Sequence, residues 1–290
     1  MILPQFELAE PTTVNSACDI LRQNVKSRII AGGTDLLVNM KKKTTSTNLV
    51  VSLSKIKALQ KVSFSPRTGL SLGSMVRIAE IEASPVIKEN YPILSKAAGR
   101  IGSPQVRNRA TIGGNICSAR PAGDTIGPLI ACGATVQITG PDGVRDEPVE
   151  SIFKGPGQTT IGTNEILTGI KLKKPVSHTG SSYIKYTIRN AMEIALVSVT
   201  TLVAIEDGVC KSARIVLGAV GPTFIKCPAA EEYLVGQKIS PGIAEKAGQL
   251  AVDACHPITD VRASADYRRD LVMVLVQRSL QEAASEVKSS

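Results

Sequence analysis

Two stretches, Ile30-Ala31-Gly32-Gly33-Thr34-Asp35-Leu36 and Ala110-Thr111-Ile112-Gly113-Gly114-Asn115, decide how this chain is read. In each, a glycine pair is flanked by apolar residues and followed by a small polar side chain. Paired glycines let the backbone turn with φ > 0 and let another group come close, with no Cβ in the way. Successive N–H groups exposed in such a turn form a concavity suited to phosphate oxygens. Two such turns predict a grip on the two ends of a pyrophosphate, and so a dinucleotide held by loops. The G-x-G-x-x-G fingerprint of the usual dinucleotide folds is absent.

Outward from the first pair, Arg28 to Ala31 reads as a short buried strand, and Asp35-Leu36-Leu37-Val38 as the opening of a short helix. Strand, glycine turn and helix start in that order suit an anion, because unpaired N–H groups and the positive end of the helix dipole converge there. Before it, residues 12–26 read as a helix, capped by Thr12 or Thr13, with Ala17, Ile20, Leu21 and Val25 as its apolar stripe. Residues 49–53 and 70–73 read as strands, 78–81 and 93–98 as helices, and 129–138 as helix passing into strand. Gly140-Pro141-Asp142-Gly143 is a hairpin turn, and 165–170 a further strand.

The composition changes over Lys173-Lys174-Pro175-Val176-Ser177-His178-Thr179-Gly180, which marks a boundary between two lobes. Beyond it, residues 182–188, 197–206 and 213–218 read as strands, covered by helices over 242–255 and 264–286. Strands first and helices after predict an α+β lobe.

The bulk numbers fit a two-lobed globular chain: 290 residues, 43% hydrophobic and 20% charged. Aromatics are only 3%, with no Trp, so the core must rest on Val, Ile, Leu and Ala. A net charge of +9 admits nucleic acid or an anionic cofactor. The one dense basic run, Lys41-Lys42-Lys43 before Thr44-Thr45-Ser46-Thr47, reads as a solvated loop. Single-strand binders also need aromatic stacking platforms, which are scarce here. No segment is long and apolar enough to span a bilayer, and the N-terminus lacks the features of a signal peptide, so a cytoplasmic location is expected. The six cysteines form no C-x-x-C and read as free buried thiols, with neither a zinc site nor an iron–sulfur cluster. His178 and His256, the only histidines, give no support to a metal site or a Ser-His-Asp triad.

Thr111 and Asn115 bring a hydroxyl and an amide to the second glycine pair, where they can complete hydrogen bonds to a phosphate or a ribityl chain. Asp124, beyond the Pro121-Ala122-Gly123 turn, can accept from sugar-like hydroxyls; the plainer reading makes it the cap of a helix starting near Thr125. Tyr183 and Lys185 share one face of a strand. A lysine near a flavin balances charge developing at the reduced ring; the plainer reading is a surface lysine on an edge strand.

These motifs, together with Gln105-Val106-Arg107-Asn108, the run Tyr183 to Ile194 and the late Arg262-Ala263-Ser264-Ala265-Asp266-Tyr267-Arg268-Arg269, resemble the FAD-binding medium subunit of molybdenum hydroxylases. That group includes xanthine dehydrogenases and carbon monoxide dehydrogenases, and the likeness is nearest to the separate FAD subunit of bacterial xanthine dehydrogenases. The resemblance implies a PCMH-type FAD-binding fold of two N-terminal α/β subdomains over residues 1–175. A C-terminal lobe, a sheet covered by helices, would occupy 176–290. It implies a cofactor site for FAD made of Ile30, Ala31, Gly32, Gly33, Thr34, Asp35, Leu36, Ile101, Thr111, Gly113, Gly114, Asn115, Asp124, Leu167 and Lys185, with Ile101 over the isoalloxazine. It implies two partners, a large molybdopterin subunit and a small subunit with two [2Fe–2S] clusters, assembled as a dimer of heterotrimers. Electrons would reach FAD from the clusters and leave to NAD or another acceptor while a purine or other N-heterocycle is hydroxylated. The alternatives are the FAD subunit of a carbon monoxide or aldehyde dehydrogenase-type complex, and a stand-alone PCMH-type flavin oxidase.

Overall fold

In the computed structural model, which describes residues 2–189 and 192–287, the chain opens on three short parallel strands. They are β1 (Glu7–Ala9), β2 (Arg28–Ile30) and β3 (Leu49–Ser52), in the order β1-β3-β2. Parallel neighbours need crossovers, and α1 (Val14–Gln23) and α2 (Leu36–Lys41) supply them. Of the two threonines before α1 it is Thr13 that caps, accepting from the Ser16 N–H at 3.2 Å. Ala17, Cys18 and Leu21 of α1 bury against Val51 and Leu53.

A second unit follows. β4 (Val62–Ser65) and β5 (Gly69–Gly73) lead into six short helices: α3 (Ile78–Ala83), α4 (Pro85–Asn90), α5 (Pro92–Ala98), α6 (Pro104–Arg107), α7 (Ile112–Cys117) and α8 (Ile126–Ala131). Proline opens α4, α5 and α6 at their first position, where it suits a helix start, and at 85 and 92 it keeps α3, α4 and α5 from running together. β6 (Thr135–Gly140) and β7 (Gly143–Pro148) form the hairpin that Gly140-Pro141-Asp142-Gly143 announces. A small ribbon, β8 (Phe153–Gly155) with β9 (Gln158–Thr159), precedes β10 (Ile166–Leu172). β10 enters between β5 and β6, completing an antiparallel sheet of order β4-β5-β10-β6-β7. The helices fold over this sheet around a core that includes Leu72, Ile78, Leu94, Ile112, Ile126 and Ile170.

The last unit is a four-stranded antiparallel sheet of β11 (Thr179–Tyr186), β12 (Val197–Glu206), β13 (Val209–Gly218) and β14 (Ile225–Lys226). α9 (Pro228–Leu234), α10 (Pro241–Ala254) and α11 (Ala265–Ser285) pack on it. β11 begins at Thr179, inside the stretch read above as a boundary. The reason is packing: a Cβ at Gly180 would lie 1.8 Å from the Ala283 carbonyl oxygen, so only glycine lets α11 close on this strand.

The second and third units meet closely. A Cβ on Gly127 of α8 would stand 2.6 Å from Thr200 Oγ1 of β12, and the Ala219 N–H donates to the Pro121 carbonyl at 2.8 Å. Among the described residues no helix is long and apolar enough to cross a membrane. All six cysteines are free; four are buried, Cys132 is half-buried and, against expectation, Cys117 is exposed.

Candidate functional site

The two glycine stretches lie against each other. Ile30 ends β2, the chain turns at Gly33 with φ +76°, and α2 begins after Asp35. A Cβ at Gly32 would lie 2.1 Å from the Arg109 carbonyl oxygen and 2.9 Å from the Ala110 Cα, so these backbones touch. Leu37 donates its N–H to the Gly33 carbonyl. The N–H groups of Gly33, Thr34 and Asp35 find no acceptor among the described residues. Ala31 to Thr34 and Leu36 are half-buried and Asp35 is exposed, so this edge faces outward from a fixed base.

The second stretch corrects the sequence reading. Thr111-Ile112-Gly113-Gly114-Asn115 is not a left-handed turn: it is the cap and first turn of α7, and neither Gly113, Gly114 nor Gly32 has a positive φ. Its N–H groups are committed. Ile112 donates to the Val76 carbonyl (3.0 Å), Gly113 to the Ser74 carbonyl (2.8 Å), Gly114 to Thr111 Oγ1 (3.1 Å) and Asn115 to the Thr111 carbonyl (2.9 Å). Glycine serves here for close approach: a Cβ on Gly113 would come within 2.6 Å of the Ser74 Cβ. Gly114 faces the other way, with Ala31 Cβ 3.9 Å from where its own Cβ would be. The two stretches therefore face each other, one offering N–H groups and the other a surface on which Gly114 presents no Cβ toward Ala31.

From the second stretch a polar chain runs to the third unit. Asn115 Oδ1 accepts from Thr125 Oγ1 at 2.7 Å, which turns its amide nitrogen away from that contact. Asp124, next along, does not cap α8, whose N-cap is Thr125. Its carboxylate is buried and held from β11: Tyr183 donates to Oδ1 at 2.6 Å and Lys185 to Oδ2 at 2.9 Å. The same ammonium donates to the Arg100 carbonyl at 3.1 Å. β11 is indeed an edge strand, yet the Lys185 side chain is only 5% exposed, because it points into this junction. Burial pushes the Asp124 carboxyl above the ordinary carboxylate range, against the opposing pull of the Lys185 charge and the two hydrogen bonds. Burial and the Asp124 charge together push the Tyr183 hydroxyl well up, so it keeps its proton and donates.

Ile101 follows Arg100 and therefore sits beside this ion pair, packed into the core of the second unit. Its carbonyl accepts from Arg107, which also clasps Glu82 at 2.6 Å; Arg107 of the Gln105–Asn108 motif is thus a brace. Leu167 is a core residue of β10, opposite Ile138, in the same apolar cluster as Ile112 and Ile116 of α7. Its neighbour Thr168, bulged out of the β10 register, accepts from the Ser74 N–H, and Ser74 accepts from Gly113.

Two features escaped the sequence reading. Tyr183 shares a face with Lys185, but the carboxylate it bonds lies 59 positions away, beyond local periodicity. Arg268 is a buried cation on α11: it donates to the Leu196 carbonyl at 2.7 Å and to Asp260 Oδ1 at 2.9 Å. Asp260, also held by Arg262, has its carboxyl drawn below the ordinary range by the Arg262 hydrogen bond above all. This cluster ties the segment after β11 to α11. Arg189 pairs with Glu193 within that segment, and Asn190 and Ala191, part of the run quoted above, lie outside the described residues.

The residues present fit a flat, anionic dinucleotide. The fit rests on the unengaged N–H groups beside the Gly114 surface, and on the polar chain that leads from Asn115 and Thr125 to Asp124 and the buried Lys185. Comparison with known proteins points the same way. Residues 4–175 match the family model described as the FAD binding domain in molybdopterin dehydrogenase, and residues 182–283 match the CO dehydrogenase flavoprotein C-terminal domain. The chain is 30% identical to the nicotine 6-hydroxylase medium subunit of Paenarthrobacter nicotinovorans, over 98% of this chain and 99% of that one. It is 27% identical to the xanthine dehydrogenase FAD-binding subunit of Escherichia coli O157:H7, over 94% of each. A solved chain of carbon monoxide dehydrogenase from Hydrogenophaga pseudoflava superposes with a TM-score of 0.96 at 30% identity, covering 99% of this chain and all of that one.

Proposed function

The chain belongs to the family of FAD-binding subunits of molybdopterin dehydrogenases, and from that premise we propose how its residues hold FAD and where the electrons go. It is an oxidoreductase subunit and a flavoprotein of the molybdenum hydroxylase type. Bound FAD supplies a two-electron carrier that can exchange electrons singly with a cluster or as a hydride with a nicotinamide.

The observation that carries the site assignment is the contact of Gly32 with the Arg109 carbonyl, which fuses two loops into one cleft. The N–H groups of Gly33, Thr34 and Asp35 bind the pyrophosphate, and Ile30, Ala31 and Leu36 seat that loop. Thr111, Gly113, Gly114 and Asn115 form the opposite wall, with the Asn115 amide nitrogen turned to the cofactor. Asp124 and Lys185 close the ring end, where Lys185 supplies positive charge and Asp124 fixes its position. Ile101 and Leu167 give that end its apolar backing.

The relatives suggest the wider assembly. Electrons come from [2Fe–2S] clusters of a small subunit and originate at a large molybdopterin subunit that hydroxylates a purine or another N-heterocycle. On our reading they leave to NAD or another acceptor, within a dimer of heterotrimers. The names of the xanthine and nicotine enzymes among the relatives support the substrate class.

The test is the visible spectrum of the purified chain before and after denaturation. Release of one FAD per chain, with none left on the acid-precipitated protein, is the expected result. A colourless chain that takes up no added FAD would sink the site assignment.

A further inference from the structure

We propose that Tyr183 is a positioning residue for the flavin chemistry: its hydroxyl fixes the Asp124 carboxylate against Lys185 and so sets the charge presented to FAD. The inference rests on the cofactor site assigned above and goes beyond it, since Tyr183 itself need touch no cofactor atom.

Geometry carries the argument. Side chains two apart on a strand point to one side about 7 Å from each other at the backbone, so one carboxylate can bridge Tyr183 and Lys185. It does so with each oxygen on a separate donor, 2.6 Å from the phenol and 2.9 Å from the ammonium. A carboxylate held at both oxygens cannot rotate, and the ammonium it holds is further pinned by the Arg100 carbonyl. All three side chains are nearly inaccessible to solvent: Tyr183 is 4% exposed as a residue, and the Lys185 and Asp124 side chains are 5% and 7% exposed. In such surroundings a charge is weakly screened, and whether Asp124 is ionised decides whether Lys185 acts as half of a neutral pair or as a bare cation.

The charged and titratable groups facing Asp124 are Tyr183 and Lys185 from β11 and Arg100 from the turn after α5. The Ser198 hydroxyl of β12 also hydrogen-bonds the phenol. Removing the phenol hydroxyl takes away one hydrogen bond that favours the ionised carboxylate, while burial continues to favour the neutral acid. Asp124 in Tyr183→Phe therefore takes up its proton at a higher pH than in the wild type. Below that pH, Lys185 has no counter-charge. A bare cation beside the flavin favours the reduced, more negatively charged cofactor. The sign follows: Tyr183→Phe raises the midpoint potential of bound FAD at the acid end of the range, and the difference closes as pH rises and Asp124 ionises in both proteins.

The experiment is the midpoint potential of FAD bound to the full chain, followed from mildly acid to mildly alkaline pH. Tyr183→Phe keeps the ring and its packing, and is expected to retain one FAD per chain. Its affinity ratio for reduced over oxidised FAD should rise about tenfold at the acid end, which is about 30 mV for a two-electron couple, and should converge on wild type at the alkaline end. In the Asp124→Asn background the same change should add nothing, because the hydroxyl acts only through the carboxylate. A profile superimposed on wild type overturns the proposal. So does an equal rise at every pH, or an additive effect on Asp124→Asn. Loss of FAD from a folded Tyr183→Phe chain also overturns it, by making the hydroxyl a cofactor contact. A wild-type chain without FAD would be recognised separately, since it defeats the cofactor site itself and this inference with it.

Discussion

The loop carrying Gly32 and Gly33 leaves a run of N–H groups without protein acceptors among the described residues, whereas the helix carrying Gly113 and Gly114 commits all of its first-turn N–H groups to the protein. Both regions hold a glycine pair between apolar neighbours, yet glycine does three different jobs in them. At Gly33 it supplies a left-handed backbone. At Gly32 and Gly113 it allows contact with another backbone. At Gly114 it keeps the cleft wall low. In the site proposed above, the first region is the binding loop and the second its rigid back plate.

Substitutions can break or sharpen that contrast. The largest effect is expected at the point where the two regions touch. Gly32→Ala would drive a Cβ to 2.1 Å from the Arg109 carbonyl oxygen, which forces both stretches apart. A loss of about 3 kcal/mol in stability is expected in denaturant unfolding, together with loss of bound FAD. Unchanged flavin content would mean that the two regions are not mechanically joined.

Gly33→Ala comes next. Holding an alanine at φ +76° costs about 1–2 kcal/mol, and relaxation of the loop re-aims its N–H groups. FAD affinity, measured by fluorescence titration of the apoprotein, should fall about tenfold. The smallest effect on FAD binding is expected from Gly113→Ala. Its Cβ would meet the Ser74 Cβ at 2.6 Å and the Ser74 carbonyl oxygen at 2.7 Å, so stability should fall by about 2 kcal/mol. The folded variant should bind FAD with near wild-type affinity. An affinity loss at Gly113 as large as that at Gly33 would erase the distinction between the binding loop and the back plate.

Much of the fold is legible locally. The stripe of α1, the hairpin turn at 140–143 and, after residue 176, three strands followed by two long helices follow from periodicity and turn chemistry, whereas β14 and α9 are too short to be read. So does the shared face of Tyr183 and Lys185. The helix at 112–117 is not legible, because two adjacent glycines are poor helix formers; carbonyls of Val76 and Ser74 hold it by long-range bonds. Likewise α4, opened by Pro85, is missed because its six residues are too few to show a period. At the site, the glycine stretches suggest an anionic dinucleotide and the resemblance adds the flavin, but the pairing of Asp124 with β11 crosses from one unit to another. The brace of Arg268 on Asp260 is also unread, since nothing in a helical stripe marks a buried cation as paired.

The meeting of Gly32 with the Arg109 carbonyl also bears on how such chains can be recombined. Surface loops usually absorb insertions at little thermodynamic cost. Here the turn that precedes α7 is read by a backbone far upstream. An insertion or deletion of one residue between α5 and α7 would be felt at Gly32. A chimera with its crossover between these points joins halves cut to different lengths. The two stretches are inherited together or the cleft is lost, so they behave as a single module despite lying in separate parts of the sequence.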